Sequence, residues 1–156
     1  MRNLLLLFAL IWSLEDIKAL GHTNSDTAKA FFSEGEDAFF KYLSSTTIYP
    51  LWPKEECIGG VVYISFVITS DNLLDSIHVK RSVGFGLDEE AIRVIKLTNG
   101  KWTSAKVGGK PIGSNVLVPI KFNMKGCKAP SEKKLEMLRE KYKEHLLNTP
   151  KSNSSR

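Results

Sequence analysis

The chain is poor in the residue types that catalysis and metal binding draw on. Its 156 residues include two cysteines, three histidines and six prolines, and its longest apolar run, Leu4 to Leu14, covers only 11 positions. A membrane-spanning helix needs about 20 apolar residues, so that run is too short to read as one. His22, His78 and His145 lie far apart in the sequence with no metal-ligand spacing, so neither a metal nor a cofactor is expected. Asp88-Glu89-Glu90 reads better as the acidic start of a helix than as an acid/base pair. Lys106-Val107-Gly108-Gly109-Lys110 is too short for a phosphate loop and lacks the GxxxxGK[ST] pattern. No catalytic constellation is present, and the expectation is a protein that is not an enzyme.

A strong charge of one sign is also missing from most of the chain. The formal net charge is +5, but residues 20–124 hold 11 Lys/Arg and 11 Asp/Glu. Residues 125–156 hold 9 Lys/Arg and 4 Glu, which supplies the whole excess. A nucleic-acid partner is not expected, because its footprint needs a basic face backed by readout chemistry. The tail reads as a solvated helix of mixed charge, with a polyanion or membrane-surface role as the alternative. A hydrophobic content of 42% is enough for a real core.

What is present divides the chain into four parts. Residues 1–19, with Arg2 ahead of the apolar run and Ala19 as a cleavage position, read as a signal peptide. An uncleaved, membrane-proximal segment is the alternative, and it would be the chain's only membrane contact. No cysteine follows the run closely, so there is no lipoprotein acceptor. Residues 20–30 read as a polar tether, 31–124 as a folded domain and 125–156 as the basic helical tail.

Within the domain, a first helix is expected over about Ser33 to Leu43, burying Phe39, Phe40 and Leu43. Ile48-Tyr49-Pro50 should be extended, since a residue before proline is pushed out of the α region, and Pro53 prolongs the irregular stretch. Val61 to Thr69 alternates as a strand, with Val62, Ile64, Phe66 and Ile68 on one face. Ser70-Asp71-Asn72 turns it into a second strand, Leu74 to Arg81. A second helix runs from Asp88 to Leu97. A third strand, Ser114 to Phe122, carries Pro119, which cannot donate to a ladder and so marks a sheet edge. The fold class is α+β: a small three-stranded antiparallel sheet with two helices on one face, in the order α-β-β-α-β. A C-terminal amphipathic helix follows, with Leu135, Leu138, Tyr142 and Leu146 at helical spacing. That stripe packs back on the domain or pairs with another chain, so a homodimer stays open.

Pairing of the third strand with the first brings the end of one beside the start of the other. Cys57 and Cys127 flank those ends, which makes a Cys57–Cys127 disulfide the expectation. Two unrelated buried thiols are the alternative. Trp102 reads as a core residue. Trp52 reads either as a lid near the first helix or as an exposed anchor.

Taken in order, Phe32-Ser33-Glu34-Gly35-Glu36, Ile48-Tyr49-Pro50, Gly60-Val61, Leu87-Asp88-Glu89-Glu90-Ala91-Ile92, Lys101-Trp102, Gly109-Lys110-Pro111 and Leu117-Val118-Pro119-Ile120-Lys121-Phe122 carry a resemblance. Over about 90 residues the chain resembles the C-terminal domain of TonB proteins, especially the version common in Bacteroidetes-type bacteria. The resemblance implies a periplasmic domain that grips TonB-dependent outer-membrane transporters. The transporter's TonB box would add as a strand along Asn115, Val116, Leu117, Val118 and Lys121, with Ile48, Tyr49, Pro50 and Trp52 as a second contact region. Another periplasmic protein could take the transporter's place.

The chain departs from the family in its short apolar run and in the few residues ahead of the first helix. The expectation is therefore a docking module. A membrane-anchored energy transducer with a minimal anchor, and an interaction domain unrelated to transport, are the alternatives. Asn72 stands where the family often has glycine, and Ser104 where it often has proline.

Overall fold

The computed structural model describes residues 27–148, so the segment read as a signal peptide, most of the stretch read as a tether and the end of the tail lie outside the described residues. Thr27–Ala28 form β1 and Phe31–Phe32 form β2. They are followed by α1 (Glu36–Thr46), α2 (Leu51–Glu55), β3 (Gly60–Ile68), β4 (Leu74–Arg81) and α3 (Leu87–Lys96). Three short strands come next: β5 (Trp102–Thr103), β6 (Ala105–Val107) and β7 (Lys110–Ile112). Then β8 (Ser114–Phe122) completes the main sheet and α4 (Glu132–Asn148) ends the described chain.

The main sheet has the order β4-β3-β8, antiparallel throughout, as the sequence leads one to expect. Its inner face follows from strand periodicity. Val62, Ile64, Phe66 and Ile68 are fully buried, while Val61, Tyr63, Ser65 and Val67 are only partly so. Val118, Ile120 and Phe122 of β8 join the same layer. Phe39 and Leu43 of α1, and Leu87, Ala91, Val94 and Ile95 of α3, cover it. Each large side chain so buried contributes roughly 1.5–3 kcal/mol. Trp102 closes the end of the core, edge-on to Phe32 at 5.5 Å and Phe66 at 5.2 Å between ring centroids. Its indole N–H donates to Thr98 Oγ1 at 2.9 Å.

The first helix starts three residues later than the periodicity predicts. Phe32 pairs with Trp102 in the β2–β5 ladder, which holds the chain extended. Gly35 then turns at φ 94°, in the region that favours glycine, and the helix begins at Glu36. Thr27–Ala28, inside the stretch read as tether, pair with Val107 and Lys106 of β6.

The stretch after Tyr49-Pro50 is not irregular throughout: Leu51–Glu55 form a helical turn with Pro53 buried. Pro53 is the third residue of that turn, where the backbone N–H has no helical partner in any case.

The acidic triplet at the start of α3 carries more than a favourable dipole. Asp88 accepts from Ser82 Oγ, from the Val83 N–H at 3.0 Å and from the Gly84 N–H at 3.2 Å, fixing the loop between β4 and α3. Glu90 accepts from the Ile48 N–H at 2.6 Å and takes a two-pronged contact from Arg93, whose guanidinium also donates to Thr46 O. The extended segment between α1 and α2 is thereby tied to α3.

The tail is part of the fold. Cys57 and Cys127 are joined in a disulfide with Cα atoms 5.5 Å apart, inside the ordinary span for such bonds. Beyond it α4 lies against a second small core of Ile58, Phe85 and Leu138, flanked by Trp52, Leu135 and Tyr142. Lys134 and Lys141 pair with Glu56 at 3.4 and 3.7 Å.

Candidate functional site

Every open sheet has two edges, and in this one they differ. The β3–β4 ladder shifts register twice, between Tyr63/Ile64 and Ser65/Val67, and Ser76 on β4 has φ 50°. Asp75, Ser76, His78, Lys80 and Arg81 are exposed along the same strand. Bulges and charge are the usual means of making an edge unable to accept another strand. By contrast, β8 pairs with β3 without a shift from Gly60↔Phe122 to Ile68↔Ser114. Its outer side is regular for nine residues.

Pro119 fixes which main-chain groups look outward. It sits opposite Tyr63 in an unbroken ladder, a place proline holds only if its missing N–H would have faced away from β3. Residues two apart turn to the same side, so the N–H groups of Asn115, Leu117 and Lys121 also face outward. The side chains alternate with them. Asn115, Leu117 and Lys121 are exposed, Val116 is half-buried, and Val118 is buried among the core residues.

A groove accompanies this edge. One cavity of about 320 Å³ lies between Val116–Pro119 on β8 and the rings of Phe31 and Phe40. The next, about 460 Å³, lies between Pro119–Phe122 and Phe40, Leu43 and Tyr49. Phe40 and Pro119 border both. Glu36 stands beside the first cavity and Lys121 beside the second. Phe40 is 47% exposed, so it does not join Phe39 and Leu43 in the core as the helical spacing suggested. Adjacent helix positions diverge by about 100°, and only one of two neighbouring phenylalanines can face the sheet squarely. That divergence is the sequence signal that could have marked Phe40 as a groove residue.

Tyr49 is brought to the end of β8 where the second cavity closes. Its ring meets Phe122 edge-on at 5.7 Å, and its hydroxyl donates to Ile58 O at 2.6 Å. Burial pushes the Tyr49 phenol up from its ordinary pKa. Gly59 leaves room for this contact, since a Cβ there would fall 2.5 Å from Phe122 O and 3.1 Å from the Tyr49 hydroxyl. Ile48 is exposed and Pro50 half-buried. Trp52 lies elsewhere, stacked on Phe85 at 5.6 Å and packed against Tyr142 of α4 at 5.0 Å. It is thus neither a lid on α1 nor an exposed anchor.

Among the described residues, no group of three or more His, Cys, Asp or Glu side chains gathers to hold a metal ion. No helix among them is long and apolar enough to cross a membrane.

An α+β domain with one regular open edge has the geometry that strand addition uses. Residues 46–124, just over half of the chain, match the model of the Gram-negative bacterial TonB protein C-terminal family, and the chain belongs to that family. Among solved structures it is similar to the Helicobacter pylori TonB C-terminal domain. A solution structure of that protein's residues 194–285 is 24% identical, with a TM-score of 0.46, covering 57% of this chain and 92% of that one. One of residues 179–285 is 23% identical, with a TM-score of 0.43, covering 55% and 77%. No curated protein matches the chain.

Proposed function

We propose that this chain is an exported, periplasmic docking module of TonB-dependent transport. It adds an extended segment of an outer-membrane transporter, or of another periplasmic protein, as a further strand on β8. The single observation that carries this reading is the contrast between the edges, β8 regular and bordered by a groove, β4 bulged and charged. Main-chain hydrogen bonds to the outward groups of Asn115, Leu117 and Lys121 supply affinity in such augmentation, and alternate side chains supply selectivity. The Cys57–Cys127 bond supports an oxidising compartment. On this reading the module works by binding.

Leu117→Pro tests it. The variant removes one outward N–H and leaves the β3 ladder with the same partners that Pro119 already leaves it. Pull-down from outer-membrane and periplasmic fractions should fall about tenfold, with little change in melting temperature. Unchanged binding by the folded variant would sink the edge-strand reading.

A further inference from the structure

The main sheet has a second face, and its charges are unmatched at one end. α1 and α3 cover the inner face, while Val61, Tyr63, Ser65 and Val67 stay partly exposed on the other. On that outer face Tyr63 lies between Arg81 and Pro119, Ser65 between His78 and Leu117, and Val61 beside Lys121. These positions alternate with buried Val62, Ile64 and Phe66, so their side chains turn away from the core. Lys80 stands at a register shift of β4 and borders a shallow hollow of about 440 Å³ with Tyr63, Ser65, Arg81 and Leu117. The Arg81 guanidinium sits over the Tyr63 ring, 5.9 Å from its centroid. Among the described residues Arg93, Lys134, Lys141 and Lys143 pair with carboxylates, whereas the exposed Lys80, Arg81 and Lys121 do not.

The tail adds charge to the same end. Asn123, Met124, Cys127 and Ala129 share a cavity with Val61 and Lys121, so the exposed loop that carries Lys125 and Lys128 borders it. α4 packs on Ile58 and Phe85, which precede β3 and follow β4. The segment that supplies the chain's +5 is thereby folded against the end that already holds Lys80, Arg81 and Lys121. At the far end of the same face the charge reverses, with Asp75 opposite Val67.

We propose that this outer face is a contact surface for a layer of anionic phospholipid headgroups. Three strands lay it out flat, with the Tyr63 ring and Leu117, 59% exposed, between the cations. An aromatic ring, an exposed leucine and basic side chains on one plane are the combination that settles at a membrane interface. Each Lys or Arg near such a surface adds attraction that falls away within a Debye length. A folded acidic protein would need relief to match, and the shallow hollow offers little of it, whereas headgroups are mobile and lie in a plane. The open hydrogen-bonding groups of β8 point within the plane of the sheet. A sheet resting on lipid therefore holds that edge parallel to the bilayer and leaves it free, which goes beyond strand addition itself.

Co-sedimentation of the full chain with vesicles tests the face. Vesicles of phosphatidylcholine alone read whatever the apolar run Leu4 to Leu14 contributes, and vesicles that also contain phosphatidylglycerol read the charge. The chain should bind the phosphatidylglycerol vesicles about tenfold or more tightly than the neutral ones, and high salt should remove the difference. Lys80→Glu with Arg81→Glu should abolish most of that preference, with Trp102 fluorescence unchanged. Lys106→Glu with Lys110→Glu makes the same change in net charge on the β6–β7 hairpin, near the end of the sheet where Ser104 is bonded to Asn72, and should keep it. Equal affinity for the two kinds of vesicle, or equal losses in the two double variants, overturns the inference. If soluble polyglutamate binds through Lys80 and Arg81 where the vesicles do not, the face belongs to an acidic polypeptide and the inference falls. Pull-down through β8 should survive Lys80→Glu with Arg81→Glu, so this inference and edge docking fail separately.

Discussion

Asn72 and Ser104, two positions that the sequence reading set apart, touch each other. The Ser104 N–H donates to Asn72 Oδ1 at 2.7 Å. Proline at 104 would have no N–H to give, and glycine at 72 no side-chain oxygen to receive it, so either substitution removes the bond. Asn72 holds φ 66°, which asparagine tolerates better than most residues, and the bond ties the β3–β4 turn to the junction between β5 and β6. A double-mutant cycle with Asn72→Gly and Ser104→Pro should show a coupling of about 0.5–1.5 kcal/mol, the double variant losing less than the two singles together. Additive losses in urea unfolding would refute the link.

Glu90 makes a second residue-scale prediction. Burial alone would raise its carboxyl, but the hydrogen bonds from Arg93 and the Ile48 N–H, with the Arg93 charge, hold it below the usual carboxylate range. A depressed folded pKa stabilises the native state above the unfolded value, and that share is lost as pH falls through the folded value. Glu90→Gln should therefore flatten the acid side of the melting-temperature profile below about pH 5. An unchanged slope would remove Glu90 from the acid response.

At the scale of elements, legibility followed length and periodicity. The ranges of β4 and β8 are those expected from sequence, and those of β3 and α3 differ from expectation by one residue at each end. Each repeats an apolar pattern over eight or more residues. The two- and three-residue strands β1, β2, β5, β6 and β7 have no period to read, because distant segments create them by pairing. The sheet edge at β8 was visible through Pro119, whereas the groove was not, since it exists only where α1 overhangs β8. Trp52 was ambiguous for the same reason: its partners Phe85 and Tyr142 are remote in sequence.

The disulfide and α4 act together as a strap around the start of β3. The bond spans a sequence separation of 70, so replacing Cys57 and Cys127 by alanine should cost roughly 2–4 kcal/mol in denaturant unfolding. Leu138, 5% exposed, is the buried residue of α4. Leu138→Ala should loosen the helix, speed amide exchange along Glu132–Asn148 and shift Trp52 emission to the red, with Trp102 unaffected. Peptide binding at β8 should be retained, because α4 packs on Ile58 and Phe85 rather than along the groove.

For the whole molecule, the inequality of the two sheet edges sets a valence. Sheets that can grow from both sides are open to indefinite addition, strand upon strand. Here Ser76 and the register shifts of β4 interrupt one side, so the main sheet offers one regular edge among the described residues, and filling it leaves that sheet no second regular edge for another strand to join. Complexes built through β8 should then be one-to-one at saturation and should not seed larger assemblies, whatever the concentration of partner. A main sheet with unequal edges ends strand addition after one step instead of propagating it.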